Sequence, residues 1–175
     1  NKTYNARKPT EDQIQKQKLI AAFQLLYLGS PMIFYGDEAG IWGANDPDCR
    51  KPMIWADKTY DPETYNPNQS KHDPDSVVFN NDLFEWYQKF MTLRQNYKAI
   101  QLGDYTTIEK DDAKKLYVFS RKFKGEEVLV CINRSDKPIS FTNQLLASKK
   151  FKDVFTKKMM KEVVIKPMDL VVLSN

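Results

Sequence analysis

The side chains best suited to chemistry are concentrated in one loop, which follows a short apolar run at residues 32–35. This loop carries Trp42, Asn45, Asp46, Asp48, Arg50 and Trp55. Planar aromatic rings stack on the apolar faces of sugar rings, while carboxylate, amide and guanidinium groups bond to sugar hydroxyls. The mixture is typical of a sugar-binding loop and makes Trp42, Asn45, Asp46 and Arg50 candidate substrate-binding residues. Two alternatives stay open: the tryptophans could anchor the loop in a core, and Asp46 and Arg50 could only brace it.

No residue of the chain is predicted to be catalytic. Asp37 and Glu38 are adjacent, and neighbouring residues of a strand point to opposite faces, so they cannot form the facing carboxylates, roughly 5 Å apart, of a retaining glycosidase. His72 is the only histidine. It falls in a polar stretch and is predicted to be an exposed loop residue. Cys49 and Cys131 lack metal-ligand spacing, so we expect neither a metal nor a cofactor.

The elements that position this loop can be predicted from local patterns. Thr10 and Gln13 form a capping box at the start of a helix that ends before Gly29. The apolar run at 32–35 does not alternate, which is typical of a parallel strand buried on both faces. A second helix is predicted from Asn81, which can serve as its N-cap. The order is helix, strand, loop, helix.

The rest of the chain is predicted to form short antiparallel strands. They are predicted at residues 105–108, 116–123, 128–133, 139–142, 151–155, 162–165 and 170–173, with turn residues between them. Because the helical period stops after Tyr97, the boundary between the two regions is predicted near residue 100. We therefore expect one region at 1–100 and a second at 101–175.

A single buried parallel strand cannot satisfy its own backbone, since both of its edges need neighbouring strands. The sequence contains no candidates for those neighbours. The first region is therefore predicted to be the last helix-strand-helix slice of an α/β barrel, and the chain a C-terminal fragment of a larger enzyme. The apolar faces of such a slice would also favour self-association.

Composition excludes several classes of partner. Hydrophobic residues make up 41% of the chain and charged residues 29%, and no apolar run is long enough to span a bilayer, so no membrane partner is expected. The formal charge of +4 comes largely from the lysines from Lys149 onward. They are not interleaved with stacking aromatics, so they predict a solvated surface and no nucleic-acid partner. Localisation stays open between cytoplasm and an extracytoplasmic space.

Two groups of segments resemble a known family. The runs YGDEAG and GANDPDCRKPMIW resemble the surroundings of the last barrel strand in the α-amylase family of glycoside hydrolases, in its neopullulanase, cyclomaltodextrinase and maltogenic amylase branch. LYVFSRKF, EEVLVCINRS and VVIKPMDLVVL extend the likeness to the end of the chain. The resemblance implies an eight-unit (β/α) TIM barrel followed by an antiparallel β-sandwich, domain C, with the active site at the C-terminal face of the barrel.

The resemblance also implies roles for single residues. Asp46 and Arg50 match a pair that contacts glucose units on the non-reducing-end side of the cleaved bond, and Gly36, Asp37 and Glu38 match a motif at the floor of the cleft. The family's catalytic carboxylates have no counterpart here. The implied activity of the intact enzyme is retaining hydrolysis or transfer at α-1,4-glucosidic bonds of starch, maltodextrin, pullulan or cyclodextrin, while the fragment alone is expected to be inactive. The alternative is a non-catalytic carbohydrate-binding or structural β-sandwich with Tyr105 or Tyr117 on its surface.

Overall fold

Both predicted helices are present in the computed structural model, which describes residues 5–175. Helix α1 spans Glu11–Leu26 and begins with the predicted capping box: Gln13 Oε1 accepts from Thr10 N at 2.8 Å, and Thr10 Oγ1 accepts from Gln13 N at 3.4 Å. Helix α2 spans Asn81–Asn96. Its N-cap is Asn80, whose Oδ1 accepts from Leu83 N at 3.0 Å, so the cap lies one residue before the predicted one.

Replacing Asn80 and Asn81 one at a time tests which of the two caps helix α2. Asn80→Ala is expected to lower the free energy of unfolding by about 1 kcal/mol, because it removes the side-chain acceptor of an otherwise unpaired helix N–H. Asn81→Ala, the matched control, removes an exposed amide and is expected to change stability by less than about 0.5 kcal/mol. Urea unfolding of the purified chain measures both. A larger loss at Asn81 would make it the cap.

The predicted strand at residues 32–35 is wrong for this chain, because the structure has no strand there. Met32 is 77% exposed and Phe34 47% exposed, so the apolar run is also not buried. A parallel strand exists only when a neighbour supplies its hydrogen bonds, and none of the described residues 5–175 does so here. The slice of a barrel is therefore not established by this structure.

The chain divides into two compact units. The first contains the described residues up to Lys18 together with Pro31–Lys89, and the second contains Leu19–Ser30 and Phe90–Asn175. Residues 1–4 of the predicted first region lie outside the described part. Within residues 5–175, no helix is both long and apolar enough to cross a membrane.

An antiparallel hairpin that the sequence did not predict lies in the first unit. Its strands are β1, Glu63–Tyr65, and β2, Lys71–Asp75. Arg7 Nε donates to Asp75 Oδ2 at 2.6 Å and ties β2 to the segment before α1. His72 lies on β2 with its side chain only 5% exposed, so the prediction of an exposed histidine was wrong.

The second unit is built on antiparallel strands, as predicted. After helix α3, Lys98–Leu102, it contains β3 Asp104–Asp111, β4 Leu116–Phe123, β5 Glu126–Asn133, β6 Ile139–Phe141, helix α4 Gln144–Ser148, β7 Lys152–Asp153, β8 Val163–Ile165 and β9 Asp169–Ser174. A five-stranded sheet has the order β3-β4-β5-β9-β7, and β6 pairs with β8. All of the pairings are antiparallel.

The core of this unit is formed by side chains of β4, β5, β6, β8 and β9, of helix α4 and of the residue before β7. It consists of Leu116, Val118, Leu129, Cys131, Phe141, Leu146, Phe151, Val163, Ile165 and Leu173. Cys131 is fully buried, and burial raises the pKa of its thiol far above the ordinary value.

Candidate functional site

The loop with the predicted site residues is held by its own backbone. Asp48 Oδ2 accepts from Ala44 N at 2.6 Å, and Asp48 N donates to Asn45 O at 2.9 Å. A single 3₁₀ turn, Asp48–Arg50, follows, with the peptide bond between Asp46 and Pro47 in the cis form. These contacts fix the loop so that residues 46 and 50 lie side by side.

Asp46 and Arg50 form a two-point ion pair. Arg50 Nε lies 2.8 Å from Asp46 Oδ1, and Arg50 Nη2 donates to Asp46 Oδ2 at 3.2 Å. The side chains are 62% and 69% exposed, so water screens the pair and its contribution to folding is below about 1 kcal/mol. The pair orients both groups before a ligand arrives, and each keeps polar atoms accessible from the solvent.

A cleft of about 700 Å³ in the first unit brings three of the four predicted substrate-binding residues together. Asn45, Asp46 and Arg50 line it along with Lys51. Further lining comes from the turn of the β1–β2 hairpin, residues 66–69. No local pattern around the loop predicted that second wall. The turn residues at 66–70, between short stretches that can pair, were the available signal for a hairpin.

Trp42 does not line this cleft. It lines two smaller clefts, of about 260 and 330 Å³. Its indole Nε1 is buried without a hydrogen-bond partner in residues 5–175, and Lys51 Nζ lies 5.6 Å from the ring centroid. This environment matches the alternative in which the ring anchors the loop, and contact of Trp42 with a sugar stays a prediction.

Lys51 links the loop to the hairpin. Its Nζ donates to Glu63 Oε2 at 2.7 Å and lies 3.9 Å from Asp48 Oδ1. Its carbonyl oxygen accepts from Tyr35 Oη at 2.9 Å. The Lys51 side chain is 23% exposed, so these ion pairs are better shielded than the Asp46–Arg50 pair. Lys51 therefore fixes the distance between the loop and strand β1.

Asp37 and Glu38 lie in a turn and not at the end of a strand, which corrects the geometry assumed for them. Glu38 Oε2 accepts from Gly36 N at 3.0 Å, whereas Asp37 is half-buried and lines the 330 Å³ cleft. Gly36 has a φ of +88°, a left-handed conformation that favours glycine, and a Cβ there would also displace the Ile41 side chain, whose Cδ1 would lie 2.4 Å away. Burial raises the pKa of Asp37, and the charge of Glu38 adds to the effect.

The raised pKa of Asp37 predicts that replacing its carboxyl group with a neutral amide raises the melting temperature by an amount that depends on pH. The folded state binds the Asp37 proton more tightly than the unfolded chain does. The contribution of protonated Asp37 to stability is therefore full below the unfolded pKa of about 3.9 and is lost as the pH rises through the folded pKa. Asp37→Asn removes that loss. We expect the variant to have the same melting temperature as the parent near pH 3 and a higher one at pH 7.

Thermal melts between pH 3 and pH 8 test this expectation. Glu38→Gln is the matched control, since it keeps an acceptor for Gly36 N and removes only the neighbouring charge. In that background the folded pKa of Asp37 is raised less, so the gain from Asp37→Asn should be smaller and should level off at a lower pH. A gain that stays constant or shrinks as the pH rises would contradict the prediction.

The surface rings of the second unit bear on the alternative of a carbohydrate-binding module. Tyr105 and Tyr117 pack on Phe119 with ring centroids 5.4 and 5.8 Å apart, and Tyr105 also meets Tyr27 at 5.0 Å. Phe23 lies in the same group, 6.1 Å from Phe119. These rings are used in packing and do not form a paired, exposed platform. Their arrangement favours a supporting β domain.

Known proteins resemble this chain in sequence and in fold. A family model described as the maltogenic amylase C-terminal domain matches residues 105–168. A cyclomaltodextrinase of Geobacillus thermopakistaniensis is 37% identical over 123 residues, which are 70% of this chain and 18% of that enzyme. Neopullulanase 2 of Thermoactinomyces vulgaris is 36% identical over 118 residues, 67% of this chain and 17% of that enzyme. The chain thus spans about a fifth of the length of the curated relatives it matches.

The fold is also that of known structures. The crystal structure of an α-amylase from Geobacillus thermoleovorans, complexed with acarbose, superimposes with a TM-score of 0.73 at 19% identity, over 92% of this chain and 33% of that one. At this identity the likeness concerns the fold alone. The sequence relatives, the family model and the fold agree, and the chain belongs to the α-amylase family of glycoside hydrolases, with a C-terminal domain of the maltogenic amylase type.

Proposed function

We propose that this chain supplies one wall of the sugar-binding cleft, and the supporting C-terminal β domain, of a retaining glycosidase that acts on α-glucans. The substrates would be starch, maltodextrin, pullulan or cyclodextrin, cleaved or transferred at α-1,4-glucosidic bonds. The curated relatives named cyclomaltodextrinase and neopullulanase support this class of substrate. The observation that carries the proposal is the Asp46–Arg50 ion pair on the 700 Å³ cleft.

The pair suits a neutral ligand. Asp46 and Arg50 cancel each other's charge, yet the carboxylate accepts and the guanidinium donates hydrogen bonds, and a sugar hydroxyl can do both. Because the pair is formed without ligand, little side-chain entropy would be lost on binding. Asn45 adds an amide on the same cleft.

The architecture of the intact enzyme follows as part of the proposal. Residues 32–35 would become the last barrel strand once neighbouring strands supply its hydrogen bonds, which would also cover Met32 and Phe34. Residues 1–100 would complete the catalytic barrel and 101–175 would form domain C. Without those neighbours, the exposed apolar side chains favour self-association of the isolated chain.

The catalytic carboxylates of a retaining mechanism would lie outside this chain. One forms the covalent glycosyl-enzyme and the other transfers the proton, and the two must face each other roughly 5 Å apart. Asp37 lines a smaller cleft and Glu38 folds back onto the Gly36 amide, so neither takes such a part in this proposal. The intact enzyme would combine that pair with the cleft wall described above.

The purified 175-residue chain is therefore expected to release no reducing ends from maltodextrin. A reducing-sugar assay measures this, with the intact enzyme as the positive control. Activity in the chain that disappears when one of its own carboxylates is replaced would overturn the proposal, since it would place the catalytic pair within these residues.

A further inference from the structure

The turn of the β1–β2 hairpin lines the same 700 Å³ cleft as Asp46 and Arg50, although it lies some twenty residues further along the chain. We propose that this turn, residues 66–69, is a second sugar-binding wall, in which the amides of Asn68 and Gln69 set the affinity for longer α-glucans. The inference rests on the proposed function and adds residues to its site.

The polar groups of the turn divide into those that build it and those left for a ligand. Asn66 Nδ2 donates to Ser70 Oγ at 3.0 Å, and Asn68 Oδ1 accepts from Ser70 N at 3.0 Å. Within residues 5–175, Asn68 Nδ2 and the whole Gln69 amide make no hydrogen bond. Both side chains are exposed on the turn. They offer donors and an acceptor at a wall of the cleft.

The turn is held in place, which matters for a wall that must meet a flexible ligand. Asn66 N donates to Ser70 O and Gln69 N to Asn66 O, both at 2.9 Å. The ion pair between Lys51 and Glu63, at 2.7 Å, connects the start of the hairpin with the loop of Asp46 and Arg50. The two walls are thus fixed relative to each other within the first unit, so a ligand can meet both without ordering them.

The chemistry and size of the cleft indicate its ligand. Neutral amides on one wall and a charge-balanced ion pair on the other favour an uncharged ligand rich in hydroxyls. The volume of about 700 Å³ falls within the roughly 300–1,000 Å³ of small-molecule sites. It exceeds the neighbouring clefts of 260 and 330 Å³. A short α-glucan chain fits these requirements.

The test uses the intact enzyme that carries this chain, with maltotriose to maltoheptaose as substrates. Gln69→Gly removes the amide at a position with a φ of +67°, which glycine adopts readily. Asn68→Asp keeps the oxygen that accepts from Ser70 and removes the donor. Each is expected to raise KM for the longer substrates roughly three- to ten-fold, the range of one hydrogen bond, with kcat unchanged. Gln69→Asn, which keeps an amide, should restore most of the affinity.

Two further variants make the outcome decisive. Gln144→Ala removes an exposed glutamine of the second unit, outside the cleft, and is expected to leave KM unchanged at every length. Asp46→Ala tests the underlying site. If Asp46→Ala weakens turnover but Asn68→Asp and Gln69→Gly leave KM unchanged, the second wall is overturned and the proposed function stands. If none of the three has an effect, the cleft is not the sugar site and both proposals fail.

Discussion

Asp46→Ala is expected to lower kcat/KM of the intact enzyme for maltodextrins roughly 10- to 100-fold, because hydrogen bonds to a charged group contribute about 1.5–3 kcal/mol. The substitution removes the acceptor and also frees Arg50, whose guanidinium is oriented by two contacts with Asp46. The free energy of unfolding should change by less than about 1 kcal/mol, since the pair is exposed to solvent. Steady-state kinetics and urea unfolding of the same preparation measure both quantities.

A matched control is available on helix α1. Asp12 and Lys16 form an exposed ion pair with the same four-residue spacing, at 2.5 Å, outside the cleft. Asp12→Ala should leave kcat/KM unchanged. Arg50→Lys adds a second test, because an ammonium group cannot make both contacts of the guanidinium and should lose much of the affinity. An unchanged kcat/KM in Asp46→Ala would reject the substrate-binding role of the pair.

Arg121→Met is expected to produce the largest loss of stability, about 2–4 kcal/mol in the second unit. The Arg121 side chain is 1% exposed and has no carboxylate partner in the described residues. Its Nη1 donates to Tyr27 O at 2.8 Å and to Leu26 O at 3.3 Å, and its Nη2 donates to Gly103 O at 2.8 Å. The guanidinium thus satisfies carbonyl groups that the end of helix α1 leaves unpaired.

The size of the loss follows from those carbonyls. A buried acceptor left without a partner costs about 1–3 kcal/mol, and a positive charge at a helix C-terminus is itself favourable. Methionine fills similar space and relieves the burial of the charge, which offsets part of the loss. Burial also lowers the pKa of Arg121, and the nearby Arg94 adds to this. In the variant, Arg94 still donates to Tyr27 O at 3.3 Å. The loss is therefore smaller than the summed cost of leaving all of these carbonyls without a donor.

Native-state hydrogen exchange of the β4 and β5 amides measures the stability of this unit directly. Arg134→Met is the matched control, because it makes the same replacement at an exposed arginine in the same unit and should stay within about 0.5 kcal/mol. If the β4 and β5 amides are equally well protected from exchange in the Arg121→Met and Arg134→Met variants, the capping role of Arg121 is wrong.

Local signals predicted the elements that depend on neighbours along the chain. The capping box at Thr10 and the strand at Leu116–Phe123 agree with the structure, since both depend on a few adjacent residues. The strand at 32–35 failed for the opposite reason. Its apolar run predicts burial, and burial requires neighbouring strands that the described residues do not contain.

The polar stretch around His72 is a second case in which local composition gave the wrong prediction. Its composition predicts an exposed loop, yet the segment pairs with β1 as strand β2. The imidazole of His72 is buried, with Nδ1 2.6 Å from Asp73 O. Arg7, which lies far away in the chain, forms an ion pair with Asp75 at the end of this strand. A window of sequence does not contain that partner.

The sequence by itself determined the family, the antiparallel strands of the second unit and the pairing of Asp46 with Arg50, whose spacing lets the two side chains meet within one loop. Only the tertiary structure decided which groups share a cleft. It joined Asn45, Asp46 and Arg50 to residues 66–69 and placed Trp42 elsewhere. Side-chain type and spacing act over a few residues, whereas a cleft is formed by segments brought together through pairs such as Lys51 with Glu63.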